Sequence, residues 1–176
     1  MTTRAQTLSI GFTGVRRRTG DFLAMTKPRV VLMVLTSILV GFYLGARGVV
    51  DYWVLLQTLV ATALTTGGTL ALNQYLEREV DAQMARTRLR PLPDGRLKPA
   101  EALGFGVILT TVGLLYATFA VNVLTGLLTA LIVGAYLFLY TPLKVKTEFC
   151  NLPGAVAGAL PPVVGWAAAT GTLEMK

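Results

Sequence analysis

Four stretches of this chain contain no charged residue: 30–46, 52–76, 102–143 and 149–173. That pattern limits the fold more than any other feature. A bilayer core about 30 Å thick needs roughly 20 apolar residues of helix to cross it. The second and fourth stretches each fit one crossing. The first is slightly short, but Pro28 can open its helix a residue or two earlier. The third is long enough for two crossings, with a break at Val121-Asn122-Val123. The expected architecture is therefore all-α, a polytopic transmembrane helical bundle with spans near 29–46, 52–76, 100–120, 123–142 and 149–172. Backbone in lipid must satisfy its own hydrogen bonds, which leaves helices or closed barrels. These runs are continuous rather than alternating, so they favour helices. A soluble all-α domain is disfavoured because no span has a polar outer face, and only 14% of residues are charged, against about 25% usually. Pro153, Pro161 and Pro162 are expected to bend or interrupt the fifth span. Gly41 and Gly45, like Gly154 and Gly158, have the spacing that lets membrane helices approach closely, although glycine is also simply common in such helices.

The net charge of +7 is compatible with a nucleic-acid partner, but its distribution points to a membrane. Six Lys or Arg precede the first span and six lie between the second and third. Two, Lys144 and Lys146, follow the fourth span. The opposite side receives only Arg47 and Lys176. The positive-inside rule then places the N-terminus, the 77–101 connection and the 144–148 connection in the cytoplasm, for a multi-pass protein of the inner membrane. Residues 1–22, with Arg16-Arg17-Arg18, read as a flexible cytoplasmic tail rather than a cleaved leader. Cys150 is the sole cysteine and there is no histidine. An internal disulfide, the common zinc sites and a histidine base are thereby excluded.

The chemistry gathers between Asn73 and Lys98. Asn73, Glu77 and Asp81 stand four residues apart, so on a helix they share one face. Two carboxylates at this spacing repel each other mildly and call for a compensating cation. Hard oxygen donors of this kind suit Mg²⁺, which keeps waters and bridges to substrate phosphates. The plainer alternative is a solvated helix end with Arg78 paired to Asp81. Asn73 lies inside the apolar run, where polar groups are functional candidates. Arg86, Arg88 and Arg90 follow, then Pro91, Pro93 and Gly95. Arginine suits bidentate phosphate recognition, and equally an anchor to anionic lipid. After the fourth span, Tyr140 and Lys144 have either a phosphate-facing role or an ordinary interfacial one. Lys27-Pro28-Arg29 adds a further basic group on the same side.

At these residues the chain resembles a known family. Asn73-x-x-x-Glu77-x-x-x-Asp81, followed by Arg86-Thr87-x-x-Arg90-Pro91-Leu92-Pro93-x-Gly95-Arg96, looks like the first aspartate-rich motif of the UbiA superfamily of intramembrane prenyltransferases. Glu at position 77 resembles the haem-farnesylating branch. So do Thr26-Lys27-Pro28-Arg29, Tyr140-Thr141 with Lys144 and Thr147, and Pro161-Pro162 with Gly165-Trp166. The resemblance implies transfer of a farnesyl group from farnesyl diphosphate to the 2-vinyl group of protoheme IX, with Mg²⁺ as cofactor. It implies that Asn73, Glu77 and Asp81 hold Mg²⁺, that Arg86, Arg90, Lys144 and Arg29 bind the diphosphate, and that Tyr140 helps position it. Membrane lipid and cytochrome oxidase assembly factors are the implied partners. The family has about nine spans and a second acidic loop, whereas after Asp94 the only acids here are Glu101, Glu148 and Glu174. The expectation is an N-terminal part of such an enzyme, with little activity by itself. Two other readings stay open: a related prenyltransferase acting on an aromatic acid of the 4-hydroxybenzoate type, and a non-enzymatic membrane transport or assembly subunit.

Overall fold

A computed structural model of the chain describes residues 17–144 and 151–174. All of the regular structure in these residues is helical. Residues 17–25 form α1, followed by α2 (Pro28–Ala46) and α3 (Tyr52–Gln83). Next comes α4 (Pro99–Tyr116), prolonged by a widened π-type segment, Ala117–Val121. Then comes α5 (Val123–Gly134), prolonged through a second such segment, Ala135–Tyr140, to Leu143. The last two helices are α6 (Asn151–Ala159) and α7 (Pro161–Thr170). Among the described residues, four helices are long and apolar enough to cross a membrane: Pro28–Ala46, Tyr52–Gln83, Pro99–Val121 and Val123–Leu143. The region of the expected fifth span is interrupted, as its prolines lead one to expect, into two short helices, α6 and α7, parted at Leu160 before Pro161-Pro162. Two consecutive prolines remove two backbone donors, and their rings crowd the preceding turn.

The bundle is inside-out compared with a water-soluble one. Buried positions of α3 include Thr58, Thr62, Thr65, Thr69, Asn73, Gln74, Glu77 and Asp81. Large apolar side chains such as Leu32, Phe119, Leu127 and Phe138 point outward. Water would make that arrangement costly, whereas lipid accepts it. Thr58, Thr65 and Thr69 each donate to the carbonyl four residues back, at 2.7–2.9 Å, so their hydroxyls are satisfied within the helix.

Glycine sets the closest helix contacts. A Cβ built on Gly41 would lie 1.9 Å from the Pro162 carbonyl oxygen, and one on Gly165 would lie 2.1 Å from that of Ile38. Only hydrogen at these two positions allows α2 and α7 to meet backbone to backbone. Gly68 and Gly113 play the same part between α3 and α4, against the backbone nitrogens of Thr110 and Thr65 at 2.5 Å. The two G-x-x-x-G pairs therefore differ: Gly41 and Gly45 form a packed seam, whereas Gly158 faces open space and Gly154 only touches the Tyr140 ring. Between α4 and α5 the chain breaks at Asn122. Its side-chain oxygen caps Thr125 N at 2.8 Å, while its amide donates to the Ala167 carbonyl at 3.0 Å. One residue thus starts α5 and ties it to α7.

Two expectations change. The flexible tail over 1–22 is wrong for residues 17–22, which belong to α1. Asp21 is buried and paired with Arg96. Phe22 meets Phe105 at 5.0 Å between ring centroids, and Met25 is fully buried. Apolar and ionic contacts to the 84–98 segment and to α4 fix this stretch, and periodicity along the chain cannot display them. The second span, expected to end at residue 76, continues as helix to Gln83. At 1.5 Å per residue its 32 residues span about 48 Å, more than the hydrocarbon core needs. The excess lifts Glu77 and Asp81 beyond one end of the apolar section.

Candidate active site

The extended end of α3 presents Asn73, Glu77 and Asp81 inward. All three are buried, the two carboxylate side chains being only 8% and 6% exposed. A solvated helix end is thereby ruled out. The Arg78–Asp81 pairing of the plainer alternative is not formed: Arg78 pairs with Glu79 at 3.0 Å and lies over the Tyr75 ring. Asp81 instead receives Arg90 at 2.5 Å, and Glu77 receives Lys144 at 3.0 Å. Asn73 donates its amide to Thr141 Oγ1 at 3.2 Å, leaving its carbonyl oxygen as the end available to a cation.

Three further features hold this arrangement. Thr87 donates to the Asp81 carbonyl at 2.8 Å, drawing residues 84–98 back over the helix end. Gly95 takes φ 72°, a left-handed turn, and Leu97 N closes on the Pro91 carbonyl. Leu92 and Leu97 bury against Met25, Ala71 and Ala102, so the charged connection is a folded cap with its own small core. On the opposite side, the wide turn before Leu143 lets Thr141 Oγ1 donate to the Tyr136 carbonyl five residues back. The same turn stacks Tyr136 on Tyr140 at 5.1 Å and sets Lys144 Nζ 6.0 Å from the Tyr140 ring centre. Such π-type turns occur often at functional sites because they re-aim side chains.

Below the charged cluster lies a cavity of about 330 Å³. Its lining includes Ser37, Thr66, Thr69, Val133, Tyr136 and Pro161. Two of its lining residues stand one helical turn from the cluster, Thr69 from Asn73 and Tyr136 from Tyr140. Its volume is at the lower end of small-molecule sites, roughly 300–1,000 Å³, and its walls are mostly apolar. A charged mouth over an apolar pocket suits an amphiphile with an anionic head and a hydrocarbon tail.

The oxygens of Asn73, Glu77 and Asp81 are a chemical fit to Mg²⁺, which is usually held by one or two carboxylates plus waters and phosphates. Among the described residues no three acidic, histidine or cysteine groups come together, so the protein offers two carboxylates and one amide here and no all-protein cage.

Residues 34–176 match the sequence profile of the UbiA prenyltransferase family. The chain belongs to that family. Within UbiA, relatives named protoheme IX farnesyltransferase include that of Solibacter usitatus, 42% identical over 165 residues, covering 89% of this chain and 56% of that protein. That of Myxococcus xanthus is 45% identical over 157 residues, covering 88% and 52%. That of Aquifex aeolicus is 38% identical over 157 residues, covering 89% and 54%. The chain thus spans about half the length of the curated relatives it matches. A solved structure, described as giving insight into digeranylgeranylglyceryl phosphate synthase in membranes, superposes with a TM-score of 0.78 at 19% identity. It covers 86% of this chain and 53% of the other. The UbiA helical fold is therefore shared beyond close sequence similarity.

Against this UbiA frame the expected site residues divide. Asn73, Glu77, Asp81, Arg90, Tyr140 and Lys144 are brought together. Arg86 and Arg29 are not: both are exposed and neither forms a hydrogen bond or ion pair with the described residues. Thr147 lies outside the described residues. Lys27, which the basic Thr-Lys-Pro-Arg string contains but whose role the spacing does not reveal, is the group that turns inward. Its pKa is lowered, first by burial and then by Arg90, against the opposing pull of Glu77 and Asp81. Thr141 and Thr87, which the strings carrying the resemblance contain without revealing a role for them, orient Asn73 and the cap.

Proposed function

We propose that this chain forms the diphosphate-binding side of a prenyl-transfer site, in an enzyme that moves a farnesyl group from farnesyl diphosphate to the 2-vinyl group of protoheme IX. The observation that supports it best is the buried Asn73–Glu77–Asp81 face, countered by Lys144 and Arg90 and opening on an apolar cavity. The names of the relatives supply the acceptor: 38–45% identity to protoheme IX farnesyltransferases favours haem over an aromatic acid. The charge distribution supports placing this end of the bundle in the cytoplasm, where a soluble diphosphate head is available.

In this reading the cavity takes the isoprenoid chain and excludes water from the allylic carbon. Lys144 and Arg90 release their carboxylates and turn to the diphosphate oxygens, stabilising negative charge as the carbon–oxygen bond breaks. Such preorganised cations count for most where water is scarce. Tyr140 lies beside Lys144 and limits the directions in which its ammonium can point. Asn73, Glu77 and Asp81 are the residues that would hold Mg²⁺, which would supply Lewis-acid stabilisation of the leaving group.

The test is binding of farnesyl diphosphate with Mg²⁺ to the purified chain in detergent. Glu77→Gln and Asp81→Asn are each expected to weaken it by about 100-fold, in keeping with loss of a charged contact of roughly 3 kcal/mol. Unchanged affinity in both variants would falsify the site. Haem B should compete with or enhance binding where 4-hydroxybenzoate does not; the reverse preference would reassign the acceptor.

A further inference from the structure

The acidic motif is usually thought of as a place that waits for a cation, but here its charge is already more than cancelled. Glu77 and Asp81 are two carboxylates. Lys144 holds the first at 3.0 Å and Arg90 the second at 2.5 Å. Lys27 lies in the same field, feeling Arg90, Glu77, Asp81 and Lys144 together. The five groups carry one net positive charge. Lys27 is also the odd member. It sits at the start of α2 with φ 48°, a left-handed conformation that is unusual outside glycine. It is half-buried, and its side chain forms no hydrogen bond or ion pair with any described residue. With Asp21, Gln74, Arg90 and Arg96 it lines an open cleft of about 370 Å³ on the extramembrane side, in which the Asp21 carboxylate is already paired with Arg96. A half-buried ammonium with no carboxylate in direct contact gains from an anionic ligand that supplies one.

We propose that Lys27 is a diphosphate-binding residue and that it makes the site anion-first: the diphosphate enters ahead of, or together with, the divalent ion. This rests on the diphosphate reading of the cluster. A bare dication approaching the site meets net positive charge and two carboxylates already engaged. A diphosphate meets Lys27 directly and offers Lys144 and Arg90 an alternative partner. As those two cations move to phosphate oxygens, the carboxylates of Glu77 and Asp81 are freed for the metal. No covalent bond changes in this exchange; only ion pairs are swapped.

The experiment uses the whole chain in detergent, with inorganic pyrophosphate and Mn²⁺ as probes, Mn²⁺ favouring the same oxygen ligands as Mg²⁺. Calorimetry in the presence of chelator should detect pyrophosphate binding without metal, and electron paramagnetic resonance should show Mn²⁺ binding at least about tenfold more tightly once pyrophosphate is present. Lys27→Gln should weaken metal-free pyrophosphate binding by about tenfold or more while strengthening binding of Mn²⁺ alone, and Lys27→Arg should restore both. Opposite-signed effects on the two ligands are not produced by a merely misfolded cluster, and the Arg variant controls for folding. Mn²⁺ binding equally well with and without pyrophosphate overturns the order but leaves the diphosphate reading standing. A Lys27→Gln variant with unchanged metal-free affinity overturns the role of Lys27. Failure to bind pyrophosphate under any condition overturns both this inference and the reading beneath it.

Discussion

Replacing Gly41 with alanine tests the packing that holds α7 against α2, and hence the frame of the cavity. The new methyl carbon would stand 1.9 Å from the Pro162 carbonyl oxygen, with Pro162 C and Cα at 2.6 and 2.7 Å. All three neighbours are backbone, so no rotamer change relieves the clash. The helices must part by about 1.1 Å merely to reach 3.0 Å, the distance below which real Cβ contacts essentially never fall. Overpacking of this kind costs roughly 1–3 kcal/mol. Against it stands the helical advantage of alanine over glycine, up to about 1 kcal/mol. The net loss should be about 1–2 kcal/mol, read from the loss of helical circular dichroism as the purified chain is titrated from mild detergent into dodecyl sulfate. Gly165→Ala, at 2.1 Å from the Ile38 carbonyl oxygen, should behave alike. Gly104→Ala and Gly158→Ala meet nothing within 4 Å and should be neutral or slightly stabilising. Local sequence gives Gly41 and Gly158 the same G-x-x-x-G setting, so the contrast isolates tertiary contact. Equal midpoints for Gly41→Ala and Gly158→Ala would refute the seam.

Three further outcomes are expected. Arg90→Ala should lower the affinity for farnesyl diphosphate by about tenfold or more, because the guanidinium faces a buried carboxylate, whereas Arg86→Ala and Arg29→Ala should change it by less than about threefold; titration calorimetry on the three variants distinguishes them. Val133→Trp, on the cavity wall, should weaken farnesyl diphosphate by about tenfold or more through steric exclusion of the tail, and a parallel loss of pyrophosphate binding would show that the cavity does not hold the tail. Asn122→Ala removes both the α5 cap and the tie to Ala167 and should cost about 1–2 kcal/mol in the same detergent titration, with Asn122→Ser recovering only the share due to the cap.

The fold class was legible because a bilayer imposes a one-dimensional rule. A long charge-free run that is continuous rather than alternating favours helix, which satisfies its own backbone hydrogen bonds in lipid. The acidic face was legible for a similar reason: Asn73, Glu77 and Asp81 belong to one helix, so their spacing alone fixes their common direction. What the sequence does not display is which cations answer them. Glu77 and Lys144 are 67 residues apart, and the choice between Arg86 and Arg90 is made by the cap. Thr87 pulls the chain back under Asp81, Gly95 turns it with φ 72°, and of the two arginines only Arg90 then points at the carboxylate. The choice between Lys27 and Arg29 is subtler still. Pro28 fixes the first turn of α2, Lys27 stands before it in a left-handed conformation, and Arg29, two residues on, is carried about 200° around the helix away from the cluster. Two basic residues separated by one proline therefore lie in different surroundings, Lys27 half-buried and Arg29 exposed. Charge counted along the chain gives the membrane side of a loop, whereas charge counted in space gives the sign of the site. Only the second count shows that an acidic motif can present net positive charge to an arriving ligand.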